Sequence, residues 1–552
     1  MPTSAKLPST LKSTWLPSLL LGLATSLLYG WFLWNPVIFD DIYFFDGSIH
    51  AHYLGKAFSL DLRWLPYATF EWTRALLGLD LIWFRLGNLA LHIANVVLLF
   101  LFLRRLFSAV LPDDQASARG TLSSSWLAFF GALIFALHPV SVYAAAYLNQ
   151  RSILMATLFT LITWRLFLEG VILGKRSWLL ASAAAYFVAV LSKEHAIMAP
   201  AVAVAMLLLL HKPSRQLFGK VWPVFLLYGL IGAYVILQKK AGHVLGEAYQ
   251  NNGPEMLSWL ARHKPGFDPD LAYPLSMLTQ SFLFFKYLLL WIMPNPAWMS
   301  VDMYESFALS FLSWPETAGL LGFILYAIIA VRLLLRRGKQ GLLGFAMLGS
   351  WLMFATELST IRIQEPFVLY RSYIWMGCAF ALLPVLFGSM PVRRALAVLL
   401  GASLLMLPLA WNRLTTFTHP LLLWDDAASL IQDRPYLPGM ERVYHNRGLS
   451  FYRVKMKQEA LGDYNRALEL NPDYSYVYND RGAVYLDEGR YQEALRDFNK
   501  SIELKSDYAR PYLGRGLVFE ALHEHSAARA DFRKSCELGM AAGCDKFRGM
   551  GE

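Results

Sequence analysis

The stretch YNDRGAVYLDEGRYQEALRDFNKSIELKSDY, residues 478–508, decides the fold of the last part of the chain. Its Arg481-Gly482 pair recurs as Arg447-Gly448 and Arg515-Gly516, at intervals of 34 residues. Ala460, Ala494 and Ala528 keep that interval, and so do Tyr474 and Tyr508. A fixed period of this length marks a supersecondary unit whose copies stack on one another. Gly482 and Ala494 are small where paired helices must approach closely, and Tyr485, Leu495 and Phe498 supply the bulk between them. In NPDY, residues 471–474, Pro472 starts a new helix.

The period, the small residues and the EALRDF core match the tetratricopeptide pattern of stacked helix-turn-helix units. Residues 441–552 hold three such units, about the minimum for a stable solenoid, and CELGMAAGC (536–544) opens a capping helix. Arrays of this kind present a concave peptide-binding surface; a docking or dimerisation platform fits the same pattern.

Upstream the composition changes. The chain has 552 residues, 56% hydrophobic and only 16% charged, with 18 Trp and 36 Phe. Soluble domains run nearer a quarter charged, so this is the composition of a polytopic membrane protein. Apolar runs recur up to about Trp411, and a polar linker over 412–440 leads into the repeats. The expected class is all-α: a membrane helix bundle of about eleven crossings over 1–411, then a short α-solenoid. The crossings fall near 15–34, 82–103, 126–141, 146–168, 178–192, 196–210, 222–238, 317–335, 341–357, 371–389 and 395–411. The first follows Lys6 and Lys12 and reads as a retained anchor.

The net charge of +10 gathers in short clusters between apolar runs: Arg104-Arg105, Lys175-Arg176, Lys212 with Arg215 and Lys220, Arg336 to Lys339, and Arg393-Arg394. All fall on one side, which the positive-inside tendency makes cytoplasmic; nucleic acid is excluded as the reason for the charge. The tail and the loop holding Asp40 and Asp41 then share the opposite face. Residues 278–294 are apolar enough to cross but would break this parity. They are read as a re-entrant or interfacial helix with Lys286 snorkelling. Cys378 is a packing residue. Cys536 and Cys544 either form a bridge suited to an oxidising compartment or occupy unrelated helix positions.

Ionisable groups near a bilayer are costly and call for a partner or a function. Asp40 and Asp41, with Asp46 beyond, follow the first apolar run. Adjacent carboxylates repel, which suits one of them to general-base work; they also suit a divalent ion or a solvated helix cap. His138, Asn149, Gln150 and Arg151 lie in HPVSVYAAAYLNQRS (138–152), and Lys193, Glu194 and His195 in LSKEHAIMAP (191–200). Glu365, Tyr370, Arg371 and Tyr373 lie in EPFVLYRSYIWMG (365–377). Each set has a plain alternative in snorkelling, local pairing or an aromatic belt. Together they bring acids and the separated cations Arg151, Lys193 and Arg371 to one membrane surface. That combination suits a lipid phosphate and the deprotonation of a hydroxyl.

In this order, FDD (39–41), NQRS (149–152), LSKE (191–194), YRSY (370–373) and the tetratricopeptide array resemble the GT-C superfamily of membrane glycosyltransferases. The arrangement is most similar to the eukaryotic transmembrane O-mannosyltransferases with tetratricopeptide repeats and their bacterial relatives. The resemblance implies transfer of one sugar, hexosyl or pentosyl, from a polyprenyl-phosphate donor to a hydroxyl of an extracytoplasmic protein. It makes Asp40 or Asp41 the base, Arg151, Lys193 and Arg371 the donor-phosphate ligands, and His138, Gln150, Glu194, Tyr370 and Tyr373 supporting residues. No metal ligand is assigned and no cofactor is required, although metal dependence differs within the superfamily and a divalent ion stays open. The repeats are fewer than in the eukaryotic relatives, which points to a different acceptor or to docking alone, and Leu369-Tyr370 stands where they often have Glu-His, which points to a different sugar or carrier. Set beside those relatives, the short array and compact loops imply a bacterial inner-membrane protein with its tail in the periplasm. Two other readings compete. A membrane-anchored repeat scaffold predicts that the membrane cations are silent on mutation. A transporter of lipid-linked sugars leaves the paired acids unexplained.

Overall fold

The computed structural model describes residues 14–41, 61–111, 121–238, 247–248, 253–363 and 365–550. Among these the chain is helical, with two isolated backbone bridges and no strand, as the sequence leads one to expect. It divides into two compact units, Met1–His419 and Pro420–Glu552.

The first unit opens with α1 (Trp15–Tyr29), α2 (Trp64–Leu77), α3 (Leu81–Val110), α4 (Ser124–Leu137) and α5 (Pro139–Ala145). Next come α6 (Arg151–Leu173), α7 (Arg176–Ser192), α8 (Ala199–Leu210), α9 (Arg215–Gln238) and α10 (Gly253–His263). The unit closes with α11 (Ala272–Ile292), α12 (Glu316–Leu335), α13 (Gly338–Phe354), α14 (Tyr373–Met376), α15 (Leu383–Phe387) and α16 (Val392–Thr416).

Among the described residues nine helical segments are long and apolar enough to cross a membrane, or ten if α4 and α5, bent by 65°, make one span. Arg176–Ser192 and Glu194–Leu210 are shorter apolar helices. All eleven expected crossings are therefore helical, although not all are long. The bend between α4 and α5 has a local cause. Pro139 cannot supply the amide that would continue α4, and the His138 imidazole Nδ1 instead accepts from the Val140 amide at 3.2 Å.

Pro269–Ile292 is counted among the nine. Its polar side chains run along the connection between α13 and α14. The Ser276 hydroxyl donates to the Thr360 carbonyl, Gln280 to Pro366, Tyr287 to Val368 and the Trp291 indole to Ser372. Lys286, expected to snorkel, pairs with Glu305 and lies 4.9 Å from the Phe367 ring centroid.

The two ends of the bundle differ. At one end the basic loops meet: Arg337 reaches the Leu208 carbonyl, Lys339 that of Gly388, and Thr121 bridges Pro391. At the other lie Gln150 and Lys193, which begin α6 and follow α7. A 23-residue helix such as α6 separates the two ends by roughly 34 Å. Gly344 lets α13 lie against α12, since a Cβ there would collide with the Leu334 backbone.

Part of the expected 412–440 linker is taken up by the end of α16 in the first unit and by α17 (Pro420–Ile431), which opens the second. The repeats follow as α18 (Glu441–Arg453) with α19 (Lys457–Leu470), α20 (Ser475–Asp487) with α21 (Tyr491–Leu504), and α22 (Ala509–Ala521) with α23 (His525–Glu537). The capping helix is α24 (Ala541–Gly549), and a Cys536–Cys544 disulfide ties it to α23. Cys378 is free and buried.

The repeating Arg-Gly pair now has a physical reason. A Cβ at Gly482 would stand 3.0 Å from the Phe498 ring, so glycine lets α20 and α21 meet without displacing that ring. Arg481 grips Asp497, 16 residues on, through Nε and Nη2 at 2.7 and 2.8 Å, and reaches Asn465 of the preceding repeat through Nη1 at 2.7 Å. Arg515 repeats this with Asp531 and Asn499, and Arg447 grips Asp463 and Asp425. Each guanidinium thus clamps its own helix pair and the helix before it. Charge-assisted bonds to half-buried partners contribute about 2 kcal/mol. Arg481→Ala should therefore speed hydrogen exchange of α20 and α21 by about 30-fold in the full-length protein. Unchanged protection there would show that the clamp is ornamental.

Candidate active site

The polar residues singled out in the sequence converge at the end of the first unit away from the basic loops. The turn Phe39–Asp41 follows the first apolar segment. Asp41 is fully buried, and its carboxylate accepts from the amides of Leu148 (3.2 Å) and Asn149 (2.8 Å). It therefore anchors the short 3₁₀ turn Leu148–Gln150 that leads into α6. The Asp40 backbone belongs to the same turn; its side chain, like Asp46, lies outside the described structure.

Arg85, unremarked in the sequence, braces this arrangement from α3. Its guanidinium donates to the carbonyls of Asn35 (3.0 Å), Pro36 (2.6 Å) and Ala146 (3.0 Å). Arg151 is buried and engaged: Nε donates to Asn88 at 2.8 Å, Nη2 to the Phe84 carbonyl at 2.7 Å and Nη1 to Thr69 at 3.2 Å. Its guanidinium carbon stands 3.9 Å from the Phe70 ring centroid. These contacts make Arg151 the joint between α2, α3 and the start of α6.

Lys193 is also buried. Its ammonium donates to Gln150 at 3.3 Å and lies 5.2 Å from the Tyr370 ring centroid. Burial foremost, then the positive charge of Arg63, pushes its pKa down to about 7; Glu194 acts in the opposite direction. An anion bound beside it would restore the charged form. Glu194 is held by the guanidinium of Arg63, with one bond at 3.0 Å.

The centre of the cluster is a residue the sequence reading passed over. Glu357, almost wholly buried, has His195 Nε2 3.0 Å from one carboxylate oxygen. Arg362 Nε and Arg371 Nη1 lie 3.1 and 3.3 Å from the other. Arg371 also donates to the Glu365 carbonyl at 3.2 Å. The Lys193 ammonium and the guanidinium groups of Arg63, Arg362 and Arg371 stand among the carboxylates of Glu194, Glu357 and Glu365. Basic side chains gathered in this way suit an anion.

Two expected supporting residues have other work. His138 stacks on Trp291 at 4.2 Å, and its Nε2 donates to the Trp291 carbonyl at 3.2 Å while Nδ1 caps α5. The Tyr373 hydroxyl lies 2.7 Å from His92 Nδ1 and 3.3 Å from Asn95 Nδ2. Gln150, Glu194 and Tyr370 do sit among the cations. Arg85, Asn88, His92 and Asn95 were missed, although their spacing of three, four and three residues is legible as one polar stripe on an apolar helix. No three His, Cys, Asp or Glu side chains gather as a metal site among the described residues.

The described residues define an all-helical chain whose first unit carries apolar helices of spanning length and whose second is a tetratricopeptide array. Family models agree on the array: Tetratricopeptide repeat over 441–474 and again over 463–496, and TPR repeat over 482–522. No curated protein matches the chain. Among solved structures the Arabidopsis OM64 TPR domain is 26% identical, covering 20% of this chain and 93% of that one, with a TM-score of 0.20. The second TPR domain of human RPAP3, solved with an HSP70 peptide, is 22% identical over 21% and 98%, with a TM-score of 0.20. MamA is 23% identical over 27% and 81%, with a TM-score of 0.21.

Proposed function

We propose that the first unit is a GT-C-type glycosyltransferase that moves a sugar from a polyprenyl-phosphate donor to a hydroxyl of an extracytoplasmic protein. The observation that supports the reading is the convergence of Lys193, Arg362 and Arg371 around Glu357, at the end of the bundle away from the basic loops. By the positive-inside tendency the basic loops are cytoplasmic, so the site faces the periplasm of a bacterial inner membrane together with the repeats. The Cys536–Cys544 bridge suits that compartment.

In this reading Lys193 and Arg371 hold the donor phosphate. Arg151, whose guanidinium is engaged by α2 and α3, positions Gln150 and is not a phosphate ligand. Asp41 is a positioning residue because its carboxylate is held by two backbone amides. Asp40 is the base. It takes the proton of a Ser, Thr or Tyr hydroxyl as that oxygen attacks the anomeric carbon. The bond from that carbon to the phosphate oxygen breaks, and its electron pair leaves with the polyprenyl phosphate, inverting the centre. Stabilising the developing charge on the phosphate is the largest contribution the protein makes. The array recruits the acceptor polypeptide, as repeats of its class bind peptides.

The test is a mass profile of extracytoplasmic proteins from cells expressing wild type or Lys193→Ala/Arg371→Ala at equal levels. Loss of one defined hexose or pentose mass from particular peptides is expected. An identical profile, with the variant still complementing a deletion, would favour the scaffold reading and end the enzymatic one.

A further inference from the structure

We propose that the junction of α6, α7, α8 and α9, at the basic end of the first unit, is a binding site for a phosphate-bearing headgroup. This site is separate from the transfer site and does not depend on that assignment.

A cavity of about 370 Å³ opens at the junction, lined by Arg176, His211, Lys212 and Lys220, with the buried side chains of Leu179 and Val221 below them. That volume falls within the range of small-ligand sites. Among the described residues, none lining it is acidic. Glu169, the residue before the cavity wall at Gly170, is committed to Arg105 and Arg165. Neither α7 nor α9, whose first turns help line the cavity, carries an acidic residue in its first turn, and the N-cap of α7 makes no side-chain bond. Amide dipoles and side chains therefore contribute charge of the same sign to one concave surface. Arg176, Lys212 and Lys220 bring three basic side chains to this surface, and Leu179 and Val221 give a glycerol backbone an apolar wall.

Two sources could supply the phosphate: the headgroup of an anionic lipid in the adjoining leaflet, or a soluble phosphate. Both would be held by the same cations, each of which strengthens attraction to an anionic headgroup by about fivefold.

The experiment uses full-length protein in phosphatidylcholine nanodiscs doped with phosphatidylglycerol, with bound lipid read by native mass spectrometry. The variant is Arg176→Ala/Lys212→Ala/Lys220→Ala. Wild type is expected to retain phosphatidylglycerol about a hundredfold more tightly than the variant, with phosphatidylcholine retention equal in both. Arg176→Lys, which keeps the charge, should behave as wild type and separates loss of the site from loss of the fold. Retention that resists millimolar inorganic phosphate identifies a lipid headgroup. Displacement by inorganic phosphate, absent in the variant, identifies a soluble one. Equal phosphatidylglycerol retention by wild type and the triple variant overturns the site.

Discussion

Asp40→Asn is expected to lower sugar transfer by about two to four orders of magnitude, the usual contribution of a general base, while leaving the melting temperature within a degree or so of wild type. The contrast with its neighbour makes the result informative. Asp41 receives the Leu148 and Asn149 amides at 3.2 and 2.8 Å and is fully buried. Asp41→Ala strands both donors, at about 1–3 kcal/mol each, and releases the turn that presents Gln150 and Arg151. It should lower activity and thermal stability together, whereas Asp40→Asn separates them. Turnover of a lipid-linked sugar donor by full-length protein in nanodiscs, beside a thermal melt of the same samples, reads both. Wild-type turnover in Asp40→Asn would remove it as the base. Stability lost by Asp40→Asn rather than Asp41→Ala would reverse the two roles.

Glu357→Ala should give the largest loss of stability in the first unit, about 3–5 kcal/mol, because it leaves Arg362 and Arg371 buried without their shared counter-charge. Replacing Arg362 as well, in Glu357→Ala/Arg362→Leu, removes one of the stranded cations and should recover part of that loss. Arg371→Ala alone should be milder for the fold and should reduce transfer by about 10²–10³-fold, as expected when a donor aimed at developing charge is removed. Thermal melts and turnover measured on the three variants separate these effects. Equal melting of wild type and Glu357→Ala would mean that the carboxylate is not what holds the cations in place. An additive double variant, with no recovery, would mean that Arg362 and Glu357 are not coupled.

The array and the cluster differ in how far they could be read from the chain. The repeats were legible because their contacts are local and recur. Arg447, Arg481 and Arg515 each reach an aspartate 16 residues on, and a glycine follows each arginine where a Cβ would strike an aromatic ring of the paired helix. The apolar helices were legible for a similar reason: an apolar run is a property of consecutive residues, whatever it packs against. The partner of Lys286 was not legible, because its pairing with Glu305 depends on how the chain returns after α11, which no local pattern states.

By itself, then, the sequence determined the all-helical class, the place where apolar helices give way to repeats, and the set of polar residues that required an explanation. Only the tertiary structure decided which partners each of them meets. Asp41 meets amides more than a hundred residues away, and His195, from the connection after α7, meets Glu357, Arg362 and Arg371 of the connection between α13 and α14. Such meetings are set by how the helices pack, and packing is chosen by the whole apolar surface at once. The residues in the motifs show that a charge is present; the fold shows which groups it meets.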